Sequence, residues 1–356
     1  MALEVSFKKK LGSFQLDVSF ASGTERVGLL GASGCGKSMT LKCIAGIETP
    51  DSGRIVINGR TVFDSKRNIN VPPQQRRTGF LFQNYALFPH MTVERNIMLV
   101  LHRLQRSERE RKTAEILERF GLTDCARLRP RQLSGGQQQR AALARMMVLE
   151  PEIIMLDEPF SALDFFLKHR IENELLELLK DFHGTLLFVS HNRDEIYRIC
   201  TQMQIISRGH ICRGGSCTEI FEDPQTVAAA QLTGCKNIAP CIRISDTEIE
   251  VPDWNLRLCT ARPVPPTVTH AGIRAHFIRP PCAGEHINVF EFTVTGRRSS
   301  PFSVSEYLTV PGGVLPLDRE LEISSPSASS SDNMNEPGGK KLLCLPPESV
   351  LLLTDR

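Results

Sequence analysis

The chain has 356 residues, of which 41% are apolar and 23% are charged, and its formal net charge is +3. Because a single hydrophobic core stops growing at roughly 250 to 300 residues, this length predicts two domains. The small net charge argues against a nucleic-acid-binding surface, and no apolar run approaches the ~18 residues of a membrane span. The N-terminus MALEVSFKKK lacks the order of a signal peptide, and the 11 cysteines form no CxxC pair or Cys/His cluster. We therefore expect a soluble cytosolic protein with reduced thiols.

Up to about residue 235, short apolar runs alternate with longer helical patterns. The apolar runs include RVGLL (26–30), IIMLD (153–157) and TLLFVS (185–190). The clearest helical patterns cover residues 108–120 and 166–182. This alternation is typical of a parallel sheet flanked by helices, and it predicts an α/β domain.

Beyond residue 235 the long helical patterns stop, and short strand-like runs lie among Pro, Gly and Ser turns. These runs are CIRI (241–244), INVFEFTV (287–294), LLCL (342–345) and SVLLL (349–353). The pattern predicts small β-barrels or sandwiches. Residues 324–339 are too polar and too rich in Gly, Pro and Ser to pack, which predicts a loop or a disordered insert.

A phosphate-binding motif, GASGCGKS, occupies residues 31–38, directly after the first of these apolar runs and before a helical pattern. In such a loop, successive backbone N–H groups and a helix N-terminus surround phosphate oxygens. Lys37 is expected to reach the outer phosphates and Ser38 to bind Mg²⁺. The predicted nucleotide contacts here are Gly31, Ala32, Ser33, Gly34, Cys35, Gly36, Lys37, Ser38 and Met39. At Cys35 only the backbone is needed, so we expect a bulky adduct on its thiol to block the loop sterically.

Polar side chains follow three other predicted strands, where ligands gather in parallel α/β sheets. Asp157 is predicted to join the Mg²⁺ shell, and Glu158 to act as a base or to orient the attacking water. His191 is assigned to the γ-phosphate. Gln83 is assigned both to catalysis and to the metal shell. The alternatives are a solvated acidic turn, a structural histidine and an exposed surface glutamine.

The segment LSGGQ, residues 133–137, places two glycines at the start of a helical pattern. Glycine destabilises a helix interior by roughly 0.5 to 1 kcal/mol relative to alanine, unless the backbone must approach another group closely. An ordinary serine-capped helix accounts for Ser134 but leaves the glycines unexplained.

Together, GASGCGKS, Gln83, LSGGQ, LDEP, SALD (161–164) and His191 resemble the ATP-binding cassette (ABC) ATPases over roughly residues 1–235. The resemblance implies a P-loop NTPase domain at 1–234, with a helical subdomain at about 84–145. It implies an OB-like regulatory lobe of the TOBE or MOP type at 235–356, with 324–339 as its flexible insert. It also implies that each ATP binds between the P-loop of one copy and LSGGQ of a second copy. The contacts implied on the second copy are Ser134, Gly135, Gly136, Gln137 and, near the dimer axis, Asp164.

Members of this family stack an aromatic ring on adenine early in the chain. The best-aligned position holds Leu11 before Gly12, so the nearest ring, Phe14, is the candidate, with core packing as the alternative.

Three features favour an importer, namely a single cassette, the β-rich lobe and the segment 84–97. This segment resembles the region that receives a permease, where an apolar patch would be formed by Tyr85, Leu87, Phe88 and Pro89. Core packing is the alternative. The implied partners are a second copy, integral permease subunits and, indirectly, an extracytoplasmic substrate-binding protein. We therefore expect a peripheral protein on the cytoplasmic face of the cell membrane.

The cargo is the least constrained inference. Residues 8–18, 55–93, 232–237 and 272–280 resemble the molybdate and sulfate importer ATPases, which predicts oxyanion uptake. For oxyanion binding in the lobe itself the sequence offers only Lys236 and Asn237, so a dimerising or structural lobe is the alternative. Importers of iron, polyamine or sugar share every catalytic motif. A soluble, non-transport ABC protein with nucleic-acid-binding lobes is a further alternative, which basic surfaces and stacking aromatics would have favoured.

Overall fold

A computed structural model describes residues 2–161, 165–180, 182–300, 303–322 and 338–355. The chain divides into two compact units, Met1–Thr218 and Glu219–Arg356. Most of the insert expected at 324–339 lies outside the described residues. The domain boundary expected at residue 234 stays a prediction.

The described part of the first unit builds one sheet of eleven strands. In chain order they are β1 (Leu3–Leu11), β2 (Phe14–Ser22), β3 (Arg26–Leu30), β4 (Ser52–Ile57), β5 (Arg60–Asp64), β6 (Ile69–Asn70), β7 (Thr78–Leu81), β8 (Ile153–Asp157), β9 (Thr185–Ser190), β10 (Gln202–Ser207) and β11 (His210–Ser216). The spatial order is β6-β5-β4-β1-β2-β11-β10-β3-β9-β8-β7.

The half of the sheet from β10 to β7 is parallel, as the alternating pattern predicted. Every residue of β8 and β9 is buried, because helices cover both faces of such a sheet and the strands become continuous apolar runs. Strands β1, β2, β4, β5 and β6 form antiparallel pairs, and β11 is antiparallel to β10 and parallel to β2. The carboxyl ends of β3, β7, β8 and β9 consequently meet along one edge.

The helices of this unit are α1 (Lys37–Ala45), α2 (Val93–Val100), α3 (Arg106–Arg119), α4 (Gly135–Met147), α5 (Phe165–Leu178) and α6 (Arg193–Ile199). Helices α2 to α4 follow one another between β7 and β8, where the motif LSGGQ leads into α4. α1 begins at the end of the phosphate-binding motif. Both sequence motifs therefore lie at helix N-termini.

The second unit is predominantly β-structure, which confirms the all-β expectation for this part of the chain. Two short helices, α7 (Cys217–Glu222) and α8 (Val227–Leu232), precede its strands. The strands are β12 (Asn237–Pro240), β13 (Ile242–Arg243), β14 (Glu248–Val251), β15 (Leu256–Cys259), β16 (His270–Ile273), β17 (Val289–Ser299), β18 (Ser303–Thr309), β19 (Leu317–Glu322), β20 (Lys340–Cys344) and β21 (Leu351–Leu353). Within the described residues they form three sheets, ordered β12-β16-β21, β13-β14-β15 and β19-β18-β17-β20, around a core that contains Trp254.

Candidate functional site

The phosphate-binding motif forms a tight loop between β3 and α1. Gly34 and Gly36 have φ values of 77° and 107°, which favour glycine. A Cβ at Gly36 would lie 2.6 Å from Leu16 Cδ1, and one at Gly31 would lie 2.4 Å from the carbonyl oxygen of Ile206. Side chains are therefore excluded at these positions, and the backbone can curl as a phosphate cradle requires.

Lys37 is a buried cation, with 4% of its surface exposed. Its ammonium donates hydrogen bonds to the carbonyl oxygens of Gly31 at 2.7 Å and Ala32 at 2.9 Å. Among the described residues no carboxylate forms an ion pair with it. Its third contact is with Cys35 Sγ at 4.0 Å. A buried ammonium without a carboxylate partner is suited to an anionic ligand.

Ser38 and Asp157 meet beside this loop. Ser38 Oγ donates a 2.7 Å hydrogen bond to Asp157 Oδ1 at the carboxyl end of β8. Burial raises the pKa of the Asp157 carboxyl, against the smaller opposing effect of the Ser38 hydrogen bond. A hydroxyl with one carboxylate is a donor set that Mg²⁺ accepts when ligand phosphates and water complete the shell, so these two residues fit the ion. No larger cluster of His, Cys, Asp and Glu is present in the described part of the chain.

Glu158 and His191 extend from neighbouring strands and meet. His191 Nδ1 lies 3.3 Å from Glu158 Oε2, and 61% of the histidine side chain is exposed. Glu158 has φ of 46°, a conformation uncommon for residues other than glycine, while its N–H donates to the carbonyl of Val189 at 3.1 Å. The turn after β8 is therefore strained and fixed, and it presents the carboxylate toward the sheet edge.

Four residues that the sequence reasoning missed support the turn that carries His191. Ser190 Oγ donates to Glu195 Oε2 at 2.6 Å and accepts from the Asn192 N–H at 2.9 Å. The buried Glu195 carboxylate also forms an ion pair with Lys168 of α5. The available sequence signal was an acidic residue in the first turn of a helix directly after a strand.

Gln83 is exposed and lies two residues beyond β7. Its amide donates to Ser161 Oγ at 3.2 Å, and Ser161 Oγ donates to the Glu158 carbonyl at 3.0 Å. Gln83 is thus linked to Glu158 through Ser161. None of the described hydrogen bonds joins it to Ser38 or Asp157, so its assignment to the metal shell stays a prediction.

Ser134 is the N-cap of α4. Its hydroxyl accepts from the Gln137 N–H at 3.3 Å, and Gln137 Oε1 accepts from the Ser134 N–H at 2.9 Å, which completes a capping box. A Cβ at Gly136 would lie 2.9 Å from Ile171 Cδ1 of α5. Packing against Ile171 is thus one internal reason for Gly136 beyond the helix cap, and the approach of these glycines to a second copy stays a prediction. No described hydrogen bond joins residues 134–137 to residues 31–38, and Asp164 lies outside the described residues.

Phe14 and Cys35 both pack into the core of the first unit. The Phe14 ring is half-buried and lies 3.6 Å from the position that a Cβ of residue 36 would take, so it packs against the core, and its stacking on adenine stays a prediction. The Cys35 thiol is 7% exposed, and burial raises its pKa. The sulfur lies on the core side of the loop, so an adduct requires the loop to open, and the expectation that a bulky adduct blocks the loop stays a prediction.

The apolar patch expected after Gln83 is present only in part. Tyr85 is buried with 7% exposure, so the core-packing alternative holds for it. Phe88 remains 40% exposed, and Pro89 is also exposed.

Asn237 is not available to a ligand in the second unit, because its amide donates to the carbonyls of Ile273 and Asp318, and its oxygen accepts from the Asp318 N–H. Lys236 pairs with Glu320 at 3.6 Å. The expected oxyanion contact at Asn237 is therefore not supported, because the Asn237 side chain is already hydrogen-bonded within the lobe.

Comparison with known proteins shows which family the chain resembles. The family described as ABC transporter matches residues 15–161. A Fe(3+) ions import ATP-binding protein of Brucella abortus is 39% identical over 243 residues, which cover 67% of each chain. A sulfate/thiosulfate import ATP-binding protein of Thermosynechococcus vestitus is 40% identical over 236 residues, covering 65% of this chain and 68% of the relative. A spermidine/putrescine import ATP-binding protein of Oleidesulfovibrio alaskensis is 40% identical over 63% of this chain and 58% of the relative.

Among solved structures, the dimeric post-hydrolysis state of the ATP-binding cassette MJ0796 bound to ADP and Pi superimposes with a TM-score of 0.51. It is 28% identical in sequence and covers 60% of this chain and 98% of its own. This likeness confirms the parallel-sheet P-loop NTPase fold. None of the helices among the described residues is both long and apolar enough to cross a membrane.

Proposed function

Because the chain belongs to the ABC transporter family of ATP-binding proteins, we propose that it is the subunit that hydrolyses ATP to drive an importer. The observation that carries this proposal is the group of functional side chains at the ends of β3, β8 and β9. There the buried cation Lys37, the Ser38–Asp157 pair and the Glu158–His191 pair share one sheet edge.

The first catalytic task is to stabilise negative charge on the phosphates. Lys37 would transfer its hydrogen bonds from the loop carbonyls to phosphate oxygens, and the loop N–H groups would donate to the same oxygens. Ser38 and Asp157 would hold Mg²⁺, which neutralises phosphate charge when it is bound. Breaking the Ser38–Asp157 hydrogen bond would free both oxygens for this purpose.

The second task is to position the water that attacks the γ-phosphate. Glu158 would accept a proton from that water or fix its orientation. His191 would contact the γ-phosphate and, through its present contact with Glu158, set the direction of the carboxylate. The strained turn at Glu158 and the support at Ser190 would keep both groups in place before ATP arrives.

The complete site would include a second copy of the chain. Ser134 and Gln137 lie at the N-terminus of α4, which is favourable for a phosphate, and they have no described hydrogen bond to their own phosphate loop. The similar ATP-binding cassette was solved as a dimer with ADP and Pi. We therefore place residues 134–137 of one copy against the nucleotide of the other.

The remaining partners would be membrane permease subunits at the cytoplasmic face of the membrane, served outside by a substrate-binding protein. The import names of the relatives support a permease. The exposed Phe88 and Pro89 offer the apolar surface on which it would dock.

For the cargo we propose an oxyanion of the sulfate type, supported by the sulfate/thiosulfate relative and by the resembling segments. The ferric-ion relative of Brucella abortus is 39% identical against 40% for the sulfate/thiosulfate relative, and it makes Fe³⁺ the second candidate. Uptake of labelled sulfate, molybdate, Fe³⁺ and spermidine should be compared in cells with and without the gene. Loss of sulfate uptake alone is expected, and selective loss of Fe³⁺ or spermidine uptake would overturn the oxyanion assignment.

The ATPase itself is tested by phosphate release from the purified chain and its Lys37→Ala variant. We expect the wild-type chain to hydrolyse ATP and the variant to lose both binding and turnover. A wild-type chain that does not bind ATP would refute the proposal.

A further inference from the structure

Tyr85 and Ala86 form a strained turn just after Gln83. Their φ values are 58° and 46°, so two consecutive residues with side chains adopt the left-handed conformation. Such a backbone persists only where surrounding contacts determine it, and it is common at functional sites. Specific contacts must therefore hold this turn in place.

Arg145, in the last turn of α4, holds the turn directly. Its guanidinium donates to the carbonyl oxygens of Ala86 at 2.8 Å and Tyr85 at 3.2 Å, and it lies 5.6 Å from the centre of the Phe88 ring. The rigid fork of the guanidinium allows two adjacent carbonyls to be held at once, which an ammonium cannot match. Both carbonyls belong to the left-handed residues.

Asn96 of α2 holds the following residues of the same loop. The Asn96 side chain is fully buried, accepts from the Phe88 N–H at 2.9 Å and donates to the Phe88 carbonyl at 3.2 Å. Arg145 also reaches Asn96 Oδ1 at 3.5 Å. Short backbone hydrogen bonds join Tyr85 to Phe82 and Ala86 to Asn84 within the loop, and the side chains of Arg145 and Asn96 attach it to two helices.

The strained turn lies between the two halves of the proposed site. On one side, Gln83 is joined through Ser161 to the carbonyl of Glu158. On the other, Arg145 belongs to the helix whose N-cap is Ser134, about 16 Å away at 1.5 Å per residue. A rotation of α4 would therefore displace the carbonyl groups of Tyr85 and Ala86. It would also displace Gln83, which lies two residues before Tyr85.

We propose that Arg145 is a positioning residue that holds the strained turn, so that the position of α4 and of residues 134–137 is transmitted through Gln83 and Ser161 to Glu158. The inference rests on the proposed ATPase function and deepens it. Arg145 would act through the backbone of the turn, because its guanidinium is bound to the carbonyls of Tyr85 and Ala86. Its role is to make the alignment of Glu158 depend on the position of α4 and of the loop at Phe88.

The test compares Arg145→Lys with Arg140→Lys, the same substitution on the same helix at a residue that pairs with Glu174 instead. We expect Arg145→Lys to lower kcat roughly 10- to 100-fold, since a displacement of about 1 Å has effects of that size. Its affinity for ATP should be unchanged, because the phosphate loop is not part of the clamp. Arg140→Lys should retain wild-type kcat.

A rescue experiment separates positioning from a general loss of stability. Glycine adopts positive φ without strain, so Ala86→Gly allows the turn to form without the guanidinium. We expect Arg145→Lys combined with Ala86→Gly to recover most of the lost kcat. A wild-type kcat in Arg145→Lys, or a double variant with no recovery, would overturn the inference. If the wild-type chain itself neither binds nor hydrolyses ATP, the proposed function fails instead.

Discussion

Ser38 Oγ donates a 2.7 Å hydrogen bond to Asp157 Oδ1, although 119 positions separate the two residues in the sequence. The bond joins the start of α1 to the end of β8, across the edge where the phosphate loop lies. It also satisfies a carboxylate that is 7% exposed and whose pKa is raised by burial. Burial therefore disfavours the charged form of Asp157, and a bound divalent cation would stabilise that form.

Replacing Asp157 by asparagine should separate stability from activity. Asparagine keeps an oxygen that can accept from Ser38 but carries no buried charge, so the nucleotide-free chain should unfold at a higher temperature. Hydrolysis of ATP with Mg²⁺ should fall roughly 100-fold. Calorimetry and phosphate release measure the two effects, with Ser38→Ala as the control that removes the hydroxyl instead. A variant that is less stable than wild type would contradict the assignment of a desolvated carboxylate.

The same pKa shift fixes how the stability difference depends on pH. The folded chain retains a proton on Asp157 at pH values where the unfolded chain, with a pKa near 3.8, has released it. The free energy of unfolding of the wild type therefore falls as pH rises from 3.8 through the raised pKa, and the deficit persists at neutral pH. Asp157→Asn does not titrate, so its advantage should be greatest near neutrality and smallest in acid. If the stability advantage of Asp157→Asn over the wild type grew toward acid pH, the pKa of Asp157 would not be raised in the folded chain.

Glu158→Gln should bind ATP and accumulate as a dimer with hydrolysis reduced roughly 10²- to 10⁴-fold, the range for loss of a general base. Glutamine preserves the size of the side chain and a hydrogen bond to His191 while removing the charge. Size-exclusion chromatography with light scattering and a phosphate-release assay test both effects, with Lys37→Ala as the control that cannot dimerise on ATP. Full turnover by Glu158→Gln would remove this carboxylate from the mechanism.

The positions of Asp157, Glu158 and His191 at strand ends were predictable from the sequence, because the apolar run of a strand and the polar residue after it are both local signals. A strand buried on both faces is a continuous apolar run, and the residue after it lies at the sheet edge. The roles of Tyr85 and Gly136 were not predictable in the same way. Each depends on a side chain distant in sequence, Arg145 for the Tyr85 turn and Ile171 for Gly136, and no local pattern reports such a contact.

Cys35 should react slowly with iodoacetamide at neutral pH, because its thiol is buried and its pKa is raised by that burial. Cys282 is exposed and provides an internal reference in the same chain. Mass spectrometry of labelled peptides over time should show modification of Cys282 long before Cys35. Cys35→Ala should retain affinity for ATP and lose about 1 kcal/mol of unfolding free energy. Equal labelling rates at the two cysteines would contradict the packing of the loop against the core.

Gly136→Ala should destabilise the chain, because the added methyl would lie 2.9 Å from Ile171 Cδ1. Overpacking costs about 1 to 3 kcal/mol, which exceeds the gain of up to ~1 kcal/mol from alanine in a helix. Ile171→Val removes the opposing Cδ1, so the double variant should regain both unfolding free energy and ATPase activity. Ile171→Val alone serves as the reference for the lost methyl group. A double variant that is stable but inactive would mean that the Cβ at residue 136 also obstructs the approach of the partner's nucleotide, so that packing against Ile171 is only part of the reason for this glycine.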